Sequence, residues 1–189
     1  MLKTKIMAKN NANINNAEPP PKIVSFIAKS GTGKTTLIEK IIKILAEKGY
    51  RVSSLKHTDH DFDADIQGKD SWRHKNAGAY STMLLSEKKM AFFSDVKEAE
   101  KPHGVKDIVL KFFGGSDIVI IEGFKDLNIP KIELLRKEIS PDMDIKYKND
   151  PNLILVCGDD FIKDLKIPQI NINDTEKIAG FIEKEIIGV

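Results

Sequence analysis

Residues 23–36 read Ile-Val-Ser-Phe-Ile-Ala-Lys-Ser-Gly-Thr-Gly-Lys-Thr-Thr. Ile23 to Ile27 are mostly apolar and β-branched or aromatic, the composition of a buried strand. Ser30-Gly31-Thr32-Gly33 is a loop of small residues. Lys34-Thr35-Thr36 opens an amphipathic run with apolar Leu37, Ile38, Ile41, Ile42, Ile44 and Leu45. Gly49 closes it where a helix C-terminal glycine belongs. Strand, glycine loop, Lys-Thr and helix, in that order, are the context of a phosphate-binding loop. Glycines let backbone N–H groups approach phosphate oxygens with no Cβ in the way. The helix N-terminus adds unsatisfied N–H groups and the positive end of its dipole. On this reading Lys34 bridges the outer phosphates and the Thr35 hydroxyl ligates a magnesium ion that shares them. The motif's first position, normally glycine, is Ala28, which alanine occupies where φ is negative, so a working but slightly reshaped loop is expected.

Outward from that loop, the whole chain is compatible with one domain. It has 189 residues, 21.2 kDa and 41% hydrophobic content, enough for a core. The net charge of +2 implies no nucleic acid or other polyanion as partner. Cys157 is the only cysteine, so an internal disulfide is impossible; it follows an apolar run and reads as a buried small hydrophobe. A cytoplasmic location fits this usage. No segment approaches the ~18 apolar residues that span a bilayer, and the N-terminus lacks the apolar core of a signal peptide. Residues 1–21 are polar, rich in Asn and Lys, and end in Pro19-Pro20-Pro21, so they read as a disordered tail before a domain over residues 22–189.

The remaining pattern alternates strands with helices. Arg51 to Lys56 reads as a second strand, and a polar loop from His57 to Asp65 follows it. Gly68 precedes a helix over Lys69 to Ala77. Tyr80 to Leu85 and Met90 to Phe93 flank a short turn and read as an antiparallel pair. Val105 to Phe113 has helical spacing. Asp117 to Phe124 is a continuous apolar run, the mark of a central parallel strand buried on both faces. Lys131 to Arg136 reads as a short strand, Asn152 to Cys157 as a buried one and Pro168 to Ile172 as a weaker one. A helix over Thr175 to Ile187, capped by Asp174, closes the chain. The fold class is therefore α/β, a P-loop NTPase fold. Its sheet is mostly parallel and covered by helices on both faces, with a short antiparallel β element.

Ligands of parallel α/β sheets gather at the carboxyl ends of the strands. Asp117 begins its strand and Glu122 ends it, about 16 Å away at the usual rise per residue. Glu122 is thus the expected magnesium holder, directly or through water. Asp61, Asp63 and Asp65 follow the second strand at the same edge, where a carboxylate orients metal-bound or attacking water. For any one of them a plain solvated loop is at least as good a reading. His57 and His60, without cysteines, are weak evidence for a transition metal. Lys69 and Arg73 form a second polar cluster, with Arg73 suited to phosphate by its planar fork. Trp72 between them is more often core or interface than a stacking platform.

Several stretches taken together carry a resemblance. They are residues 30–36, Lys56-His57-Thr58-Asp59-His60-Asp61-Phe62-Asp63, Gly68-Lys69-Asp70-Ser71-Trp72-Arg73-His74, Ala77-Gly78-Ala79, Ile121-Glu122-Gly123-Phe124-Lys125 and Pro130-Lys131-Ile132-Glu133. In this order and spacing the chain resembles the molybdopterin-guanine dinucleotide biosynthesis protein B family, strongly over residues 22–136 and in outline beyond. The phosphate loop is shared by many families; the Lys-His-Thr and Gly-Lys-Asp-Ser stretches are far more specific. The resemblance implies a GTP-binding homodimer, built through sheet contacts, with slow magnesium-dependent GTPase activity. It would work beside the guanylyltransferase that joins GMP to molybdopterin. Carried over, Ser30, Gly31, Thr32, Gly33, Lys34, Thr35, Thr36 and Glu122 serve phosphate and magnesium, and Asp61, Asp63, Lys69 and Arg73 form the second group.

Guanine preference is not legible in the residues. A carboxylate is needed to accept the two ring-edge N–H donors of guanine. The Asn-Lys-x-Asp signature is absent, and Asp159, after a late strand, is the candidate. Two other readings compete. A small-molecule kinase would use the same loop beneath a lid of arginines, but Arg51, Arg73 and Arg136 are the only arginines. That scarcity also leaves no obvious arginine finger, so slow turnover is expected. A non-catalytic carrier or adaptor for molybdopterin would use nucleotide only as a structural ligand.

Overall fold

The computed structural model describes residues 19–58, 60–63, 65–95 and 104–189. The expected disordered tail lies outside the described residues as far as residue 18. In chain order the elements are β1 (Lys22–Ile27), α1 (Lys34–Glu47), β2 (Val52–Lys56), α2 (Asp70–Asn76), β3 (Ser81–Leu85), β4 (Met90–Ser94), α3 (Val105–Phe112), β5 (Ile118–Glu122), β6 (Lys131–Leu135), β7 (Leu153–Gly158), β8 (Gln169–Asn171) and α4 (Thr175–Ile182). They form two compact units, one from the chain up to His57 and from Lys106 onward, the other Thr58–Val105. The sequence reading of one domain over residues 22–189 drew no boundary at His57.

The first unit is a six-stranded sheet in the order β2-β5-β1-β6-β7-β8. Every neighbouring pair is parallel. β1 lies inside the sheet between β5 and β6, so the loop that follows it has a strand end on either side. Alternation along each strand sends Val24, Phe26, Ile118, Ile120, Ile132 and Leu134 to one face. There they pack with Leu37, Ile38, Ile41 and Leu45 of α1 and with Ile178, Ala179 and Ile182 of α4. Each such side chain taken fully from water contributes about 1.5–3 kcal/mol. α1 ends at Gly49 (φ +95), whose N–H donates to Ala46 O at 2.9 Å while Tyr50 N–H reaches Leu45 O at 3.1 Å. α4 starts at Asp174, whose carboxylate accepts from Lys177 N, and its backbone continues as a π-helical turn over Glu183–Ile187.

Over β6 and β7 the opposite face is covered by loop rather than helix. Leu135, Ile145, Leu153 and Val156 cluster there with Met143, Tyr147, Ile162, Leu165 and Ile167. Two buried polar side chains of β6 fix that cover. Lys131 donates to Leu127 O and to Asp150 Oδ2, the latter at 2.7 Å. Glu133 accepts from Lys146 N at 3.0 Å and Tyr147 N at 3.1 Å. Burial raises the Glu133 carboxyl above its ordinary value, and those two N–H groups partly offset it. A register shift between Lys131 and Ile132, opposite Leu153 and Leu155, brings Leu153 onto the same side as Val156.

The second unit holds α2 and the hairpin. β3 and β4 pair antiparallel from Ser81↔Ser94 to Leu85↔Met90, closed by a Ser86 N–H to Lys89 O bond of 2.9 Å. Met83, Leu84, Leu85 and Met90 on this hairpin are exposed.

Candidate functional site

The loop after β1 turns on two glycines. Gly31 (φ +81) and Gly33 (φ +88) are both left-handed, a region where a Cβ is strained. Thr32 is buried, and its hydroxyl donates to Lys29 O at 2.8 Å. Gly33 is the residue before α1, and its carbonyl takes the first helical bond from Leu37 N at 3.0 Å. Among the described residues the non-glycines with positive φ are Phe124, Met143 and Asp164. Ala28 is not one of them, so alanine replaces the motif's first glycine without backbone strain.

On the β5 side of the loop, Glu122 is the centre of charge. Thr35 Oγ1 donates to its Oε1 and Oε2 at 3.0 and 3.2 Å. Lys34 Nζ lies 3.8 Å and Lys56 Nζ 3.6 Å from its Oε1. Lys56 closes β2 and stands opposite Glu122 in register. Backbone contacts fix the carboxylate from behind. His57 N–H donates to Glu122 O at 3.0 Å, Gly123 N–H to Phe26 O at 3.1 Å, and the Ser25 hydroxyl to Gly123 O. Gly123 (φ +101) lies so close to His57 that an added Cβ would be 3.4 Å from its carbonyl oxygen. The His57 ring stacks on Phe124 with centroids 4.1 Å apart, a packing role for that imidazole. Asp117, at the other end of the strand, pairs with Arg51, whose hydrogen bonds hold its carboxyl below the ordinary value.

On the β6 side stands Arg136. Its Nε donates to Thr32 O at 3.0 Å, Nη1 to Asp159 Oδ1 at 3.1 Å and Nη2 to Asn173 Oδ1 at 3.3 Å. Asp159 Oδ2 accepts from Lys137 N at 2.9 Å. Each Asp159 oxygen thus accepts one protein donor, which leaves part of the acceptor capacity of the carboxylate unused. Lys56 and Arg136 escaped the search for site residues. The rule of strand carboxyl ends points to both, but only the strand order shows that their strands converge on β5 and β1.

The second unit carries the remaining predicted residues, all exposed: Asp61, Asp63, Lys69 and Arg73. Asp61 Oδ1 accepts from Phe62 N and Asp63 Oδ1 from Asp65 N. Lys69 is the residue before α2, and Arg73 lies 3.8 Å from Asp70 on the same helix. Trp72 is half-buried. Among the described residues no group of three or more His, Cys, Asp or Glu is placed to hold a metal ion.

Three comparisons bear on this arrangement. A family model described as molybdopterin guanine dinucleotide synthesis protein B matches residues 23–159. The molybdopterin-guanine dinucleotide biosynthesis adapter protein of Escherichia coli (strain K12) is 34% identical over 166 residues, 85% of this chain and 90% of its own. Its namesake in Haemophilus influenzae is 34% identical over 165 residues, 85% of this chain and 87% of its own. Among solved structures, a crystal structure of molybdopterin-guanine biosynthesis protein B superposes with a TM-score of 0.68 at 28% identity, covering 86% of this chain and 99% of that one.

Proposed function

The chain belongs to the molybdopterin guanine dinucleotide synthesis protein B family, and from that premise we propose that it is an adapter in molybdopterin guanine dinucleotide biosynthesis that binds GTP with magnesium and hydrolyses it slowly. The observation that carries the nucleotide reading is the closure of Thr35 on Glu122 at 3.0 Å beside a loop of two left-handed glycines. A hydroxyl and a carboxylate are hard oxygen donors, and magnesium takes one or two such protein ligands with water and phosphate oxygens completing its shell. Thr35 and Glu122 fit that role. When bound, magnesium would be held by Thr35 and Glu122 and would neutralise part of the phosphate charge.

The chain's own groups do the rest. The loop N–H groups around Gly31 to Lys34, with Thr36 in the first turn of α1, bind and orient the phosphates. Lys34 supplies positive charge to their outer oxygens, and Glu122 holds that ammonium nearby beforehand. Lys56 adds a second ammonium at the same carboxylate. The partners proposed are the guanylyltransferase that joins GMP to molybdopterin, molybdopterin itself and a second copy of this chain. The exposed apolar residues of the β3–β4 hairpin suit the last through sheet contacts.

Calorimetric titration with GTP and with ATP, each with magnesium, tests the nucleotide: GTP is expected to bind more tightly. Equal binding refutes the guanine preference, and no binding of either refutes the loop's role. Reconstitution with the guanylyltransferase tests the adapter role, with dinucleotide yield expected to rise when this chain and GTP are both present. A yield indifferent to the chain refutes it.

A further inference from the structure

Arg136 ties the phosphate loop to the ends of two other strands. Its acceptors come from separate segments: Thr32 in the loop, Asp159 after β7 and Asn173 after β8. The anchors are themselves fixed. Asp159 accepts from the Lys137 backbone, and its carbonyl accepts from Asn171 Nδ2 at 3.2 Å; Asn173 N–H donates to Asn171 Oδ1 at 2.9 Å. The guanidinium also lies against Gly33, where an added Cβ would be 3.7 Å from Nε.

The Thr32 carbonyl belongs to the peptide whose N–H is that of Gly33. A trans peptide is planar, with its C=O and N–H on opposite sides. Holding the Thr32 carbonyl on the guanidinium therefore turns the Gly33 N–H away from Arg136. Without such a hold, a loop with two left-handed glycines samples many conformations, and a ligand must order it on binding.

We infer that Arg136 is a positioning residue that fixes the phosphate loop in its anion-accepting shape before phosphate arrives, with Asp159 and Asn173 as its anchors. The inference rests on the nucleotide reading above. It requires a planar fork with separated donors, which lysine does not have.

The test measures binding of pyrophosphate, GDP and GTP, each with magnesium, to wild type, R136Q, R136K and D159N. It also follows the backbone order parameter of Gly33 by NMR in the nucleotide-free protein. R136Q and R136K are expected to bind all three ligands about tenfold more weakly or worse, the loss of one charged hydrogen bond. Their Gly33 order parameter falls, with cooperative melting retained. D159N keeps the side-chain shape and shows a smaller loss of the same pattern, which judges the inference if R136Q does not fold. A loss confined to GTP assigns Arg136 to the γ-phosphate and overturns the inference. So does an R136K that matches wild type, since charge alone would then suffice, or a Gly33 order parameter indifferent to every variant. If wild type binds none of the three ligands, the nucleotide reading fails. The Gly33 order parameter still decides whether Arg136 orders the loop.

Discussion

Replacing Asp150 by asparagine tests the buried pair that starts β6. Lys131 is 1% exposed and Asp150 21%. The Lys131 ammonium has two acceptors, Asp150 Oδ2 at 2.7 Å and the Leu127 carbonyl. Asp150 Oδ1 is occupied separately, accepting from Asn152 N at 2.8 Å and Nδ2 at 2.9 Å. An amide has a single oxygen, so the replacement side chain serves either the ammonium or the turn into β7, never both, and the counter-charge is lost in either case. Breaking a buried ion pair costs roughly 3–5 kcal/mol. Water reaching the partly exposed side of Asp150 lowers that toward about 3 kcal/mol, since a screened charge is less costly. At 2–4 °C per kcal/mol for a chain of this size, the melting temperature falls by roughly 6–12 °C. Urea unfolding at neutral pH, followed by circular dichroism, gives the free energy. The Lys131 hydrogen bond is the largest cause of the lowered Asp150 pKa. A lowered acid contributes stability that is present above its unfolded value and is lost as pH falls through the folded one. The gap between wild type and D150N therefore narrows below the ordinary aspartate value of 3.8. The double variant K131M/D150N recovers much of the loss, because no charge is left buried. A D150N protein within about 0.5 kcal/mol of wild type at neutral pH would refute the reasoning, placing it in the range of ordinary surface substitutions.

Lys34→Ala is expected to weaken GTP about ten- to hundredfold, the range of one charged hydrogen bond, and to abolish phosphate release while the melting curve is unchanged. Full turnover in that variant contradicts the phosphate role. Glu122→Gln keeps a partner for Thr35 but removes the charge that Lys34 and Lys56 face. Titration with and without a chelator should show the magnesium enhancement of nucleotide affinity falling about tenfold, the loss of one charged contact. An unchanged enhancement excludes Glu122 as the metal's support. Burial pushes the Cys157 thiol up to about 12, so it stays protonated and out of contact with solvent. A disulfide reagent at pH 8 should modify it only after denaturant is added; immediate reaction in the native protein counts against a closed core at β7.

The glycine loop after β1 was legible because its determinants are contiguous. Gly31, Gly33, Lys34 and the apolar stripe of α1 act over a few residues, and backbone conformation and hydrophobic period are short-range properties. Glu122 was reachable for a similar reason, since an apolar run has a direction and its last residue marks the ligand edge. The hairpin of the second unit showed through two strand-like stretches flanking the short Ser86 to Lys89 turn. The loop cover over β6 and β7 did not show, because it depends on Lys131 and Glu133, polar residues that a strand reading sends to solvent.

Local pattern along the chain was enough for a parallel α/β fold with a glycine loop after β1 and an acid at the end of a neighbouring strand. Which strands flank β1 came from the packed sheet alone, and with it the placing of Lys56 beside Glu122, Arg136 against Thr32 and Asp159 on Arg136. The physical reason is range. A strand's own residues specify its burial and direction, whereas a charge takes its role from whatever lies within a few ångströms in space. For Arg136 and Thr32 those neighbours are 104 residues apart in the chain.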